Sequence, residues 1–388
     1  MAGRVVLFGA TGYTGRLTAE AMVERGMRPV LAARGQDKLD ELAAELGGGL
    51  ETATADVSDP GSVAALVEQG DVLVSTVGPF VKFGAPAAAA ASTHGAHYLD
   101  STGEPPFIRQ VFESYGTAAK RSGSGMFTAF GYDFVPGNLA GALALEQAGD
   151  RAARVDVGYF ASGASGPSDL SGGTRASLLG VMTEPSFVYR DGRVHTERGA
   201  ARHRSFDLQG KRRDAVAVGG SEHFGLPHVA PNLEQVNVYL GWFGPASRAM
   251  PVVSGATSLL MKLPGAGSAW EFIGSKLAKG STGGPGPEQR AKIGSHVVGV
   301  AYDAAGEQLS EVHLTGADAY GYTGRMLAWG AERAAQGGLK GSGALGPVDG
   351  FGLRELEQGC AEAGLTAEGA EGASNGAGRQ AGARAQAR

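Results

Sequence analysis

Arg4-Val5-Val6-Leu7-Phe8 runs directly into Gly9-Ala10-Thr11-Gly12-Tyr13-Thr14-Gly15, and a helical pattern follows to about Arg25. An apolar strand, a glycine-rich turn and a helix N-terminus make a cradle for a pyrophosphate. Glycines let the backbone turn tightly and come close to the ligand, and the free N–H groups of the helix face the anion. The spacing is GxxGxxG, not GxGxxG. In a chain with 65 glycines the spacing alone says little. The strand before it and the helix after it carry the reading of a dinucleotide site. The competing reading is a glycine turn used only for packing. On the first reading Gly9, Thr11, Gly12, Tyr13, Thr14 and Gly15 hold the cofactor.

The next strand indicates which dinucleotide. Pro29-Val30-Leu31-Ala32-Ala33 is short and apolar and ends at Arg34, with Lys38 one helical turn on. An NAD site usually places a carboxylate here for the ribose hydroxyls. A guanidinium instead suits a 2′-phosphate, through paired charged hydrogen bonds. Arg34 and Lys38 therefore favour NADPH over NADH, unless Arg34 is a solvated arginine at a helix start.

Outward from this unit the chain alternates strand and helix, as a doubly wound parallel sheet requires. Strands are expected at 4–8, 29–33, 51–55, 71–76, 97–100 and 126–129. Helices are expected at about 14–25, 36–46, 60–69, 84–94 and 106–121. Asp59-Pro60 reads as a cap followed by proline at the first helical position. From about Val135 the strands lengthen and lie closer in sequence: 154–161, 186–190, 193–197, 202–208, 214–218, 234–242, 293–302 and 308–316. Arg190-Asp191-Gly192-Arg193 is a hairpin signal. Helices near 171–182, 246–263 and 268–279 would cover this second sheet. The fold class is α/β, with an N-terminal Rossmann-type sheet and a second α/β domain built on a mixed sheet. Domains are expected at 1–135 and 136–318. Helices at 319–335 and 350–363, within 319–365, would return to the first domain, and 366–388 reads as a disordered tail for want of apolar residues. Gly-Tyr-Thr-Gly-Arg recurs at 321–325 without a preceding strand and is read as coincidence.

Composition narrows the partners. With 43% hydrophobic and 19% charged residues in 388, the chain is long enough for two domains with a large core. A net charge of −5 gives nucleic acid no bulk electrostatic support. Cys360, the single cysteine, allows no internal disulfide and fits a reducing, cytoplasmic setting. No run of eighteen apolar residues marks a membrane span, and the opening strand leaves no room for a signal peptide. The eight histidines show no metal-ligand spacing, so no metal is expected. A homodimer through the second domain is compatible with the composition, but no segment marks its interface.

The residues quoted above resemble those of saccharopine dehydrogenase-like oxidoreductases. The resemblance runs from Gly9–Arg16 through Ala32-Ala33-Arg34, Asp56-Val57-Ser58-Asp59 and Val77-Gly78-Pro79-Phe80. It continues in His97–Glu104, Gly131–Pro136 and Ser171–Ser177, so it covers roughly residues 3–360. The branch it looks nearest to is that of trans-acting enoyl reductases and related polyketide-associated reductases. The resemblance implies a Rossmann domain, an α/β substrate domain and NADP(H)-linked redox chemistry, without implying saccharopine as substrate.

Within that frame, Asp56 and Val57 after the third strand are expected at the adenine, though Asp56 would also serve as a cap. Val77, Gly78, Pro79 and Phe80 end the fourth strand where the nicotinamide should lie, or pack on the next helix. Tyr98 and Asp100 share one strand face. Tyr132 and Asp133 follow the sixth strand. A tyrosine or acid here can donate the proton that completes a hydride reduction; equally, Tyr98 can be buried core and Asp100 can orient the Thr102-Gly103 loop. Residues 190–214 carry Arg190, Arg193, Arg198, Arg202, Arg204, Lys211, Arg212 and Arg213 against Asp191, Glu197, Asp207 and Asp214. Such an excess forms either a docking face for an acidic carrier protein or a solvated hairpin. His223, Phe224, Trp242 and Phe243 would line an acyl pocket or pack the core. The readings in play are an enoyl-type NADPH reductase acting on a small or carrier-bound substrate, an imine reductase or amino-acid dehydrogenase, and a non-catalytic NADP(H)-binding scaffold.

Overall fold

The computed structural model describes residues 3–163, 184–260, 283–316 and 318–368. The Ser171–Ser177 stretch and the helices expected at 171–182 and 268–279 lie outside the described residues.

Val5–Phe8 (β1), Val30–Ala33 (β2), Thr52–Thr54 (β3), Val72–Ser75 (β4), His97–Asp100 (β5) and Gly125–Phe127 (β6) form a parallel sheet. Its order is β3-β2-β1-β4-β5-β6, extended beyond β6 by Gly343–Ala344. The order reverses between β1 and β4, so the crevice beyond their C-terminal ends is the ligand position for such a sheet. β1, β2 and β4 are buried along their whole length, as strands covered on both faces must be. The Asp59 side chain caps Pro60–Ala64 by accepting from Gly61 N at 3.1 Å. That helix ends well before residue 69, and the helix expected at 106–121 is three pieces: Pro105–Gln110, a π turn Val111–Tyr115 and Gly116–Ser122. The seventh strand, two residues in a glycine-rich stretch, carries no apolar pattern of its own. It exists because Gly343 N and Leu345 N reach the Ser124 and Met126 carbonyls at 2.7 and 3.0 Å.

The second sheet is mixed. Its members are Arg154–Gly163 (β7), Pro185–Arg190 (β8), Arg193–Arg198 (β9), His203–Leu208 (β10), Lys211–Ala217 (β11) and Gln235–Leu240 (β12). Ile293–Tyr302 (β13), Gln308–Gly316 (β14) and Leu365–Ala367 complete it. β12 and β7 run parallel; the remaining pairs are antiparallel. Asp191 and Gly192, with φ of 51° and 75°, close the β8–β9 hairpin. The helix Val135–Ala148, buried from Val135 to Leu145, packs on β13, β14 and β7 and meets Leu353–Glu362 from the C-terminal region. One apolar cluster therefore runs from Leu7 in the first sheet through Leu139 and Trp329 to Val157 and Val297 in the second.

Ala319–Ala335 is capped by Asp318, which accepts from Tyr320 N and Gly321 N, and packs on Tyr13–Glu24. The second Gly-Tyr-Thr-Gly-Arg lies inside this helix. Its Gly324 allows the contact, because a Cβ there would sit 2.9 Å from the Leu17 carbonyl. Residues 366 and 367, expected in the tail, lie in a strand. Leu365 is 1% exposed and Leu365–Ala367 pairs with Leu314–Gly316, so backbone pairing orders a segment that its side chains did not mark. Residues beyond Glu368 lie outside the described residues.

Candidate active site

The loop after β1 is built to hold an anion. Gly9 takes φ +91°, and its carbonyl accepts from Gly12 N at 3.0 Å and Thr76 Oγ1 at 3.2 Å, which ties the turn to the end of β4. A Cβ on Gly15 would collide with the Gly9 carbonyl, so Gly15 is required for helix and turn to meet. Gly12 is different. It has φ −77° and ψ 169°, is exposed, and a Cβ there would meet only Gly9 O, at 3.3 Å. Packing does not demand that glycine; the open space in front of it does. No side chain caps Tyr13–Glu24 and no acidic residue occupies its first turn, which suits a phosphate. The Tyr13 side chain is turned away from the cradle. Its hydroxyl donates to Pro285 O at 2.6 Å and accepts from Arg290 at 3.1 Å, and its ring meets Tyr320 edge-on. Tyr13 thus fastens the loop to the second domain and leaves only its backbone for a ligand.

At the adenosine end, Arg34 and Lys38 are exposed beyond β2. Asp56 faces them. Its Oδ1 accepts from the Ser58 N–H at 2.8 Å and hydroxyl at 2.7 Å, and these bonds, with the Arg34 charge, hold its carboxyl below the usual range. Val57 is half-buried against the helices of that side.

At the other end, Val77, Gly78 and Pro79 lead out of β4. The Phe80 ring takes the packing alternative. It is 5% exposed and packs on Phe107 at 5.6 Å, because the apolar layer beneath the loop has room for it. Its backbone N–H and that of Val81 donate to the two oxygens of Glu104, at 2.8 and 2.9 Å. Glu104 thereby binds the loop after β4 to the loop after β5. Sequence reasoning passed over it, although it closes the His97–Glu104 stretch.

Three of the four expected proton-handling groups are buried. Tyr98 and Asp100 are fully buried. Asp100 Oδ1 accepts from Thr102 N and Ala129 N, both at 2.9 Å, so the carboxyl organises the loops after β5 and β6. Burial pushes it up to about 6, and burial with the Asp100 charge raises the Tyr98 phenol. Tyr132 is 3% exposed, boxed in by Tyr159, Trp242 and Tyr322. Asp133 differs. It is half-buried, and its Oδ2 lies 2.8 Å from where a Cβ on Gly103 would stand, at the C-terminal edge of the sheet. Enclosure by protein pushes its carboxyl up to about 6.

The second domain supplies an aromatic wall. Phe224 stacks on Phe112 at 4.2 Å and meets Phe187, joining the two domains. Trp242 and Phe243 are half-buried, and His223 is 1% exposed with burial holding it near 4. The basic run does not form one face. Arg202 pairs with Glu197, Arg204 with Asp156, and Arg213 donates to Ala161 O while lying over Phe160. Arg198 donates to Pro251 O. Apart from Arg198, the exposed cations of the run divide between two tips, Arg190 and Arg193 on one hairpin and Lys211 and Arg212 on the other. Arg190 lies opposite Gln235 and Ala217 opposite Tyr239, so the tips flank opposite ends of β12. Among the described residues no group of three or more His, Cys, Asp or Glu side chains is placed to hold a metal, and no helix is long and apolar enough to cross a membrane.

Residues 5–125 match the family described as "Saccharopine dehydrogenase NADP binding domain". The first domain is a saccharopine dehydrogenase-type NADP-binding domain. A Mycobacterium tuberculosis protein provisionally named a trans-acting enoyl reductase is 35% identical over 187 residues, 47% of this chain and 45% of its own. A trans-acting enoyl reductase of Mycobacterium leprae is 36% identical over 140 residues, 35% of this chain and 34% of its own. The matches thus span less than half of these relatives. The apo saccharopine dehydrogenase (L-Glu forming) of Saccharomyces cerevisiae superposes over 94% of this chain and 99% of its own, with a TM-score of 0.57 at 14% identity. At that identity the likeness speaks for the fold. A saccharopine dehydrogenase-type domain makes NADP(H) the expected ligand of the cradle, and contact of a 2′-phosphate with Arg34 is directly testable. Arg34→Ala should weaken NADPH binding by about 1.5–3 kcal/mol, the scale for losing a charged hydrogen-bond partner, and leave NADH binding nearly unchanged. Titration with both cofactors checks this; equal losses would remove the 2′-phosphate from Arg34.

Proposed function

We propose that the protein is an NADPH-dependent reductase of an enoyl-type C=C bond in an apolar or carrier-bound acyl substrate. The observation that carries this reading is Asp133, a half-buried carboxyl with a raised pKa at the C-terminal edge of the first sheet. NADPH, when bound, supplies the hydride. The cradle at Gly9–Gly15 and the Gly78-Pro79 turn, held by Glu104, set its position. Phe112, Phe224 and Trp242, all half-buried, are the rings that would meet an acyl chain. Asp133 in its acid form gives a proton to the carbon α to the thioester carbonyl as hydride reaches the β carbon, so one saturated thioester and one NADP+ result. The similarity to proteins named trans-acting enoyl reductases supports this choice of substrate bond. The direct test is NADPH oxidation with an enoyl pantetheine thioester and with the same acyl group on a carrier protein, with the saturated product identified by mass. Oxidation with a cyclic imine and with neither thioester would favour the imine reading instead.

A carrier protein is acidic enough to be drawn to a cationic tip. Reversal of charge at the tip that docks it, by Arg190→Glu with Arg193→Glu or by Lys211→Glu with Arg212→Glu, should raise the KM for carrier-bound substrate. That effect should fade with salt, because exposed charges are screened over about 8–10 Å at physiological ionic strength. KM for the pantetheine thioester should stay constant. If neither pair changes KM, both hairpins are solvated faces.

A further inference from the structure

The buried side chain of Tyr159 makes a proton count possible. Its hydroxyl oxygen has three polar neighbours: Gly137 N at 2.8 Å, Phe134 O at 3.1 Å and Glu222 Oε1 at 2.6 Å. A phenol gives one proton and accepts through its lone pairs. The Gly137 N–H can only donate and the Phe134 carbonyl can only accept. With the phenol proton on the Phe134 carbonyl, the third partner must donate, and only a carboxylic acid does so. A carboxylate at Glu222 would take the phenol proton instead, and the Phe134 carbonyl would keep its Asn138 N and Nδ2 donors, at 3.2 and 3.0 Å. What decides between the two forms is Glu222 Oε2, which is buried with no hydrogen-bond partner among the described residues, a position a charged oxygen does not tolerate. Glu222 is fully buried, and among the described residues no cation pairs with it. Asp133 adds a negative field. The adjacent His223 is neutral at physiological pH, kept so by burial and, secondarily, by the Arg202 charge. Gly137 and Gly220 admit the pair: a Cβ on either would collide with the Glu222 carboxyl.

We propose that Glu222 is held as a neutral acid and that its proton, through Tyr159, locks the Phe134–Gly137 turn and so positions Asp133. The positioning role rests on the reading of Asp133 as proton donor; the protonation does not. Burial raises the Glu222 carboxyl to about 8. The folded protein then keeps a proton that the unfolded chain releases. Its stability should fall by one proton's linkage as pH rises from about 5 to 8, and level off above.

The test compares the full-length protein with Glu222→Gln, whose amide N–H donates as the acid does, and with Tyr159→Phe. An infrared difference spectrum at pH 7, wild type against Glu222→Gln, should show one protonated-carboxyl band lost, and the pH slope of the urea midpoint between 5 and 8 should flatten in the variant. Tyr159→Phe should lower kcat on the pantetheine thioester roughly tenfold or more through misplacement of the donor, with KM held and the alkaline limb of the kcat profile, where kcat falls through pH 6, displaced. Absence of the band, or an unchanged slope, overturns the neutral acid. A band with Tyr159→Phe kinetics like wild type overturns the positioning role. If Glu222→Gln does not fold, the carboxyl band lost between wild-type spectra at pH 7 and pH 9 decides the protonation. A band present while Asp133→Asn turns over normally means the donor reading has failed and Glu222 has not.

Discussion

Gly12→Val should leave the protein folded and nearly abolish NADP(H) binding. The backbone at Gly12 is extended, a conformation valine adopts freely, and the new Cβ meets only Gly9 O at 3.3 Å. The melting temperature should therefore move little. The two methyls instead enter the space in front of the uncapped helix Tyr13–Glu24, where the pyrophosphate approaches the N–H groups. Affinity should drop by roughly a hundredfold, about 3 kcal/mol, the upper end of what forced overpacking costs. Gly15→Val is the contrasting variant. Its Cβ collides with the turn itself, so that protein should lose stability along with binding. Calorimetric titration with NADPH on the two variants, beside their melting curves, separates the cases. Unchanged affinity in a folded Gly12→Val protein would move the dinucleotide elsewhere.

Asp133→Asn should cut kcat by about a hundredfold or more, the usual scale for removing a positioned proton donor, with the Kd for NADPH unchanged. Asparagine keeps the shape beside Gly103 and cannot give up a proton in this range. The pH profile gives a second check. The carboxyl is raised to about 6 and acts in its acid form, so kcat should fall as pH rises through 6, and the variant should lack that limb. A profile flat from 5 to 8 in the wild type would take the proton from another source.

The first domain was readable from sequence because its signals are local. A buried parallel strand is a short apolar run, a phosphate cradle is a strand, a glycine turn and a helix start, and each lies within sixteen residues of chain. Asp59 with Pro60, and Asp191 with Gly192, announced a cap and a hairpin for the same reason. The cation at Arg34 could be placed because the end of β2 has one position relative to the cradle in this topology.

What only the tertiary structure decided depends on which side chains meet across distance. Tyr98 and Asp133 both follow the logic of acids and phenols at strand ends, but one is fully buried and the other only half-buried. Burial separates them, and burial depends on every element that packs above. Arg202, Arg204 and Arg213 count as surface charge in a composition window, yet they are spent on Glu197, Asp156 and Ala161. Glu104 and Glu222 looked like ordinary glutamates. One became an anchor by meeting two backbone N–H groups, and the other was buried whole beside a phenol, away from any cation among the described residues. A residue's type and its near neighbours set what it can do chemically; its solvation and its partners, which the packed fold alone supplies, set what it does.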